Sequence, residues 1–362
     1  MTCTDKETMA GAGGQGVTMS SSPFPLFRLP FVALKEVIEK VEVKQLIPLS
    51  FCSKKMHYTV KRLRNKRGKI TIRLYGRRDI FIEIENEISL DDRTDGVILV
   101  VKAAPEGGIK GWKTDRVGGK VAHFQEHARF RDRDFTSYWE DVVYGTKSII
   151  EYITNLFGVH VHHVVFEDDS VWMMDFIEEL QGPKTYNASI QRSTNRGLTD
   201  EQFRHILTDL NPTDLDLFQI PSNDFRLESF QKNYEILMIA GTWLTIENLR
   251  QLDCIRLEAG QTEFTTLEIN RFLKHVLAGG ASNRWKQWSI AVRNSNENEI
   301  LNGIPELLTA APERDSFGRD EKGWHYRGNI IRGDELVLVK IDYDISRREV
   351  TLIIGDGYAC LD

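Results

Sequence analysis

Cysteine is scarce in this chain and never paired in sequence. Its four, Cys3, Cys52, Cys254 and Cys360, form no C-x-x-C motif, which excludes a disulfide-dense secreted scaffold and a cysteine zinc knuckle. No apolar run approaches the roughly 18 residues that span a bilayer. The first 23 residues have no basic patch followed by an apolar core, so no signal peptide is expected. These absences point to an intracellular protein, cytoplasmic or nuclear. Charge of one sign is also lacking: 47 Lys and Arg face 53 Asp and Glu, a net charge of -6, which gives no global attraction to nucleic acid or an anionic membrane. The G-x-S-x-G, H-E-x-x-H and G-K-[ST] motifs are missing, so no hydrolase elbow, zinc protease helix or phosphate loop is expected. The glycines of Gly11–Gly16 follow no strand and open no helix, and they lack the context of a phosphate loop. No catalytic residue, metal or other cofactor is expected.

What is present begins after a Gly, Ser and Thr-rich stretch, residues 1–22, read as a disordered leader. Residues 23–66 then read as three short helices. Pro30 after Leu29 suits a first helical turn, where its missing N–H costs nothing. Leu34, Val37, Ile38 and Val41 form one stripe. Val43, Leu46, Ile47, Leu49, Phe51 and Cys52 form a second apolar group, with Pro48 inside it demanding a bend or a start nearby. Ser53 is a candidate N-cap for a third helix bearing Met56, Val60 and Leu63. Of the 41 residues from 23 to 63, 21 are apolar, more than three short helices can hide among themselves. The surplus must meet either the rest of the chain or another protein.

Beyond residue 66 the pattern is mixed. KITIRL (69–74) and DIFIEIE (79–85) predict a hairpin, and VILVVK (97–102) a third strand. Tyr138, Val142, Ile149, Ile153 and Phe157 share a helical face, predicting a helix over 138–157, followed by a strand at 161–167. Residues 172–181 fit either state. Thr199–Leu210 predicts a capped helix. Strands are expected at 214–220, 235–241, 254–260 and 286–292, with a helix over 266–277 between the last two, and a closing pair at 335–343 and 349–354. Alternating strands and helices favour a parallel sheet. The fold class is therefore α+β: a three-helix N-terminal module, then a mixed α/β region, with a curved sheet like that of leucine-rich repeats as one reading of it. The expected divisions are 67–200 and 201–362, or a single domain over 67–362.

The residues from Leu29 to Leu63 resemble the F-box. Leu29-Pro30, the Leu34/Val37/Ile38/Val41 stripe and Leu49-Ser50-Phe51-Cys52-Ser53-Lys54 match that pattern in order. The Phe-Pro-Leu lead-in and the Cys-Ser-Lys-Lys ending are similar to the nematode branch of the family. In that branch an F-box-associated domain follows. Thr266–Lys274 with Gly279-Gly280 is similar to part of that domain, over about residues 200–295. Met56 and His57 stand where many F-boxes carry a tryptophan, and Pro48 is unusual in the second helix. The resemblance implies a non-enzymatic substrate receptor of a Skp–cullin–F-box ubiquitin ligase. It would bind a Skp-type adaptor, and through it a cullin, while its C-terminal region would hold an unnamed target protein. Leu29, Pro30, Leu34, Ile38, Ile47 and Leu49 are the candidate adaptor anchors; the same side chains would otherwise pack between the three helices.

Other features compete. Residues 54–78 hold eleven Lys or Arg and no acid, which makes nucleic-acid binding the alternative function, with a solvated face or an acidic protein partner as further readings. His160 and His162 would share a strand face near Asp168 and Asp169, without a further ligand at clear spacing. Glu178/Glu179 and Asp91/Asp92 read as surface charge. Asn187-Ala188-Ser189 fits a glycosylation acceptor that an intracellular chain would not use.

Overall fold

Alternating burial along the strands and stripes along the helices build a helical N-terminal module joined to one long sheet. The computed structural model describes residues 26–64, 69–77, 79–87, 95–105, 113–117, 120–126, 134–167, 170–182, 184–192, 197–280, 282–293, 296–304, 307, 317–319, 323–332, 335–344 and 346–355. The leader and its glycine cluster lie outside them, as do Asp91, Asp92, Asp168 and Asp169.

A 3₁₀ turn at Leu26–Arg28 leads into α1 (Phe31–Lys40), α2 (Val43–Phe51) and α3 (Lys54–Leu63). Pro30 caps α1 from outside, one residue before the helix. Pro48 lies inside α2, in a helix too short for one lost ladder bond to break it. Ser53 caps α3 by accepting the Met56 N–H at 3.1 Å.

The chain then forms β1 (Lys69–Gly76), β2 (Ile80–Glu87), β3 (Asp95–Ala103), β4 (Lys113–Val117), β5 (Lys120–Glu126) and β6 (Asp134–Trp139). Next come α4 (Val142–Phe157), β7 (Val161–Phe166), α5 (Trp172–Gln181), β8 (Asn187–Ile190), α6 (Asp200–Thr208), β9 (Asp214–Leu217) and β10 (Asn233–Ala240). The rest is α7 (Ile246–Gln251), β11 (Asp253–Gly260), α8 (Thr266–His275), β12 (Gln287–Ala291), α9 (Glu297–Leu301), β13 (Phe317–Arg319), β14 (Gly323–Arg332), β15 (Glu335–Asp344) and β16 (Glu349–Ile354). Tyr138 is a correction to the helix expected from 138: it belongs to β6. The helix starts at Val142, where the Asp141 carboxylate accepts the Tyr144 N–H at 2.9 Å.

The sixteen strands among the described residues join one sheet, in the order β13-β14-β15-β16-β12-β11-β10-β9-β8-β7-β1-β2-β3-β6-β5-β4. From β7 to β12 each strand pairs in parallel with the next in sequence. Right-handed crossovers between strands laid down in that order put every connecting helix on one face. This is the arrangement of a solenoid. Register aligns Val164, Ala188, Leu215, Leu237, Leu257 and Trp288 in one row under the helices, none more than 2% exposed. One apolar cluster runs from Ile38 and Ile47 through this row to Ile341 and Leu352. β8 and β9 pair across residue 200, so sheet and core are continuous there. The intervening residues, Val165, Ser189, Asp216, Met238, Glu258 and Ser289, form a row on the opposite face. Among the described residues no helix lies on that face.

Candidate functional site

Two surfaces stand out, one at each layer of the fold. The first is on the helical module. Its inner side packs into the chain: α2 lies against β3 and α3 against α4. Tyr152 on α4 stacks on Phe51 with ring centroids 4.8 Å apart and donates its hydroxyl to Ser50 Oγ at 2.9 Å. Lys61 donates to Asn155 Oδ1 at 3.0 Å, and Arg64 to the Phe157 carbonyl. Of the six candidate anchors, Ile38 and Ile47 belong to this inner side. They are 0% and 1% exposed and out of a partner's reach. Leu29, Leu34 and Leu49 are half-buried, and Pro30 is exposed.

The outer side is apolar and open. Phe31 is 56% exposed, Val32 71% and Val37 41%, with Phe27 beside them in the preceding turn. Cations border it: Lys55 Nζ sits 4.3 Å from the Phe27 ring centroid, and the Arg62 guanidinium carbon 5.7 Å from that of Phe31. Tyr58, also exposed, extends the border along α3. Sequence reasoning missed Phe27, Phe31 and Val32, because it began the α1 stripe at Leu34. Phe31, three residues before Leu34 and seven before Ile38, extends that stripe, and an apolar stripe longer than three short helices can cover was the available signal.

The second surface is the helix-free face of the sheet. Near β1, β2 and β3 a pocket of about 350 Å³ opens there, lined by Tyr75, Arg77, Phe81, Glu83 and Ile98. Its polar groups are already engaged with one another or with neighbours. Tyr75 donates to Glu83 at 2.9 Å, Arg73 pairs with Glu85 at 2.9 Å, and Arg77 with Glu167 at 2.9 Å. Further along, Asp214 and Asp216 are half-buried on the same face. Burial first, then neighbouring carboxylates, pushes both above the ordinary carboxylate range.

The basic block does not form one strip. Arg73 and Arg77 are paired on the sheet, Lys61 and Arg64 tie α3 to α4, and Lys55 and Arg62 lie on rings. Lys66, Arg67 and Arg78 lie outside the described residues. His160 and His162 stack at 4.3 Å, and His162 Nδ1 accepts the Ile72 N–H at 3.3 Å at the irregularity between β1 and β7. No group of three metal-ligating side chains occurs among the described residues. Asn187 and Ser189, the ends of the sequon, lie in β8, inside the sheet. No described helix is long and apolar enough to cross a membrane.

Comparison with known families falls on these two layers. The F-box domain matches residues 26–68, from the first turn through α3. The F-box associated domain matches residues 227–290, which cover β10, α7, β11, α8 and most of β12. The chain therefore carries an N-terminal F-box and an F-box-associated domain towards its C-terminus. That pairing is consistent with an F-box protein of the nematode type. No curated protein and no solved structure matches the chain.

Proposed function

We propose that this chain is a substrate-receptor subunit of a Skp–cullin–F-box ubiquitin ligase. The open apolar face of its F-box binds a Skp-type adaptor and through it a cullin. The sheet domain holds the target protein, and the ligase chemistry belongs to other subunits. Such a receptor works inside the cell. The observation that carries this reading is the exposed patch of Phe27, Phe31, Val32 and Val37 on a module that matches the F-box. A patch with several large side chains in water is stabilised by a partner that covers it. Leu29 and Pro30 stand between Phe27 and Phe31 in the chain, and Leu34 and Leu49, packed against the core, keep part of their surface, so these four candidate anchors stay available to the adaptor in this proposal. Ile38 and Ile47 instead support the helices from beneath. The bordering Lys55 and Arg62 favour an adaptor surface that offers apolar pockets with acidic edges.

The experiment is a binding titration of purified full-length chain with a purified Skp-type adaptor. It compares wild type with Phe31→Asp plus Val32→Asp, with circular dichroism as the folding control. The double variant is expected to stay folded and to lose adaptor binding. Equal binding by wild type and the folded variant would refute the proposal, as would wild type that ignores the adaptor.

A further inference from the structure

The pocket over β1, β2 and β3 lies outside both family-matched segments. Tyr75 and Phe81 stand directly opposite each other across β1 and β2, and Glu83 stands opposite Ile98 across β2 and β3. Tyr75, Phe81 and Ile98 are half-buried and supply its apolar lining. Its volume of about 350 Å³ is at the small end of ligand pockets, roughly 300–1,000 Å³, so it suits the end of one side chain.

Charge decides the sign of the occupant. Glu83 and Glu85 share one guanidinium, with Arg73 Nη1 2.9 Å from Glu85 and 3.6 Å from Glu83. Arg77, at the rim, is paired with Glu167 at 2.9 Å and donates to Gln191. Three carboxylates, Glu83, Glu85 and Glu167, thus meet two guanidiniums, Arg73 and Arg77, which leaves an excess negative charge beside two aromatic rings. Tyr75 adds none: burial first, then the Glu83 carboxylate, pushes its phenol above the ordinary range and keeps it neutral. Rings and excess carboxylate both attract a cation, and an anion is repelled.

Hydrogen-bonding capacity narrows the cation further. Glu83 already accepts the Tyr75 hydroxyl at 2.9 Å, and Glu85 is taken by Arg73. An ordinary ammonium or guanidinium brings several N–H donors and would leave most of them unmade in this half-buried place. Full methylation removes the donors of a lysine and keeps its charge.

We propose that this pocket takes the trimethylammonium end of a methylated lysine, held against Tyr75 and Phe81 beside Glu83 and presented by a polypeptide lying on the open sheet face. That face carries no helix among the described residues, so a polypeptide has room there. The inference deepens the receptor reading and rests on it for calling that polypeptide the target.

The test is isothermal titration of the full-length chain with a short glycine–serine peptide carrying one trimethyl-lysine. The controls are the same peptide with unmodified lysine, the same peptide with a neutral tert-butyl group in place of trimethylammonium, and free choline. Adaptor affinity and circular dichroism are measured on the same preparations. The trimethyl-lysine peptide is expected to saturate the chain and to bind about tenfold or more tightly than either control peptide. Phe81→Leu, which keeps apolar volume and loses the ring, and Glu83→Gln, which removes the charge, are each expected to weaken it by about fivefold or more while leaving adaptor affinity unchanged. A trimethyl-lysine peptide that fails to bind, a tert-butyl or unmodified peptide that binds equally well, or folded variants that bind as wild type overturn the inference. So does choline binding more tightly than the peptide, which would make the pocket a small-molecule site. A chain that holds the trimethyl-lysine peptide but ignores the adaptor would refute the receptor reading and leave the pocket's ligand standing.

Discussion

Truncating Val32 and truncating Ile38 should separate adaptor binding from folding, although the two side chains lie within two turns of one helix. Val32 is 71% exposed, so most of its side chain is in water and available for a partner to cover. Val32→Ala removes two methyl groups, worth about 1.6 kcal/mol at about 0.8 kcal/mol each. Discounted for the surface already buried, about 1.1 kcal/mol remains, which is about sixfold in Kd. Stability should change little, because the site is open. Ile38 is 0% exposed and belongs to the continuous core. Ile38→Ala should cost about 2–5 kcal/mol of stability, through lost transfer free energy and the cavity left behind. The affinity of its folded fraction should stay at the wild-type value. Isothermal titration against a Skp-type adaptor measures the first effect, and urea unfolding measures the second. The reasoning fails if Val32→Ala binds as tightly as wild type, or if Ile38→Ala keeps its stability and loses affinity.

Three further outcomes follow from contacts elsewhere. Tyr152→Phe removes the hydroxyl that joins α4 to Ser50 and should lower unfolding stability by about 1 kcal/mol, read by urea titration. Gly145→Ala should destabilise although alanine is the better helix former by about 1 kcal/mol, because the Trp139 ring occupies the space a Cβ needs; thermal melting shows the sign. His205 is hydrogen-bonded by Asp209 and by Asp175, each at 2.7 Å, and these partners raise its folded pKa. The stability it contributes is therefore complete below the unfolded value near 6.5 and is lost as pH rises through the higher folded one. Melting temperature should fall between about pH 6 and about pH 8, and His205→Gln should remove that part of the slope.

What the sequence disclosed was what is local. Ser53 and Thr199 announce helix starts through side chains a few residues away, and both cap as their spacing demands; Thr265 caps α8 in the same way without having been read as a cap. The β1–β2 hairpin and the parallel run were legible from β-branched residues and from helices between strands. β8 was not, because only four residues form it and two of them, Asn187 and Ser189, face outward and polar. Tyr138 entered the α4 helix on paper because it falls four residues before Val142, a spacing that serves a helix and a strand end equally. The solenoid row at 164, 188, 215, 237, 257 and 288 has no fixed period, so no internal repeat shows in the residues alone. Periodicity finds apolar faces but does not say which face meets the chain itself. That is why Ile38 and Ile47 were ranked with Pro30.

The division of the F-box into a sealed side and an open side follows from its size. Three helices of about ten residues cannot enclose a core of their own, so each apolar face needs something beyond the module. One face is met within the chain, by β3 and α4, through Phe51, Tyr152 and the Ser50 hydrogen bond. That docking orders the module before any partner arrives, so the conformational entropy of fixing α1 is already spent in folding. Phe27, Phe31 and Val32 are then presented from a backbone already anchored to the sheet. The same anchoring joins the open patch to the helix-free face through one unbroken core, because Ile38 and Ile47 and the row from Val164 to Trp288 belong to a single cluster. A protein bound on the sheet is thus held in a fixed relation to whatever covers α1. Orientation in such an assembly is set by packing already present in the free chain.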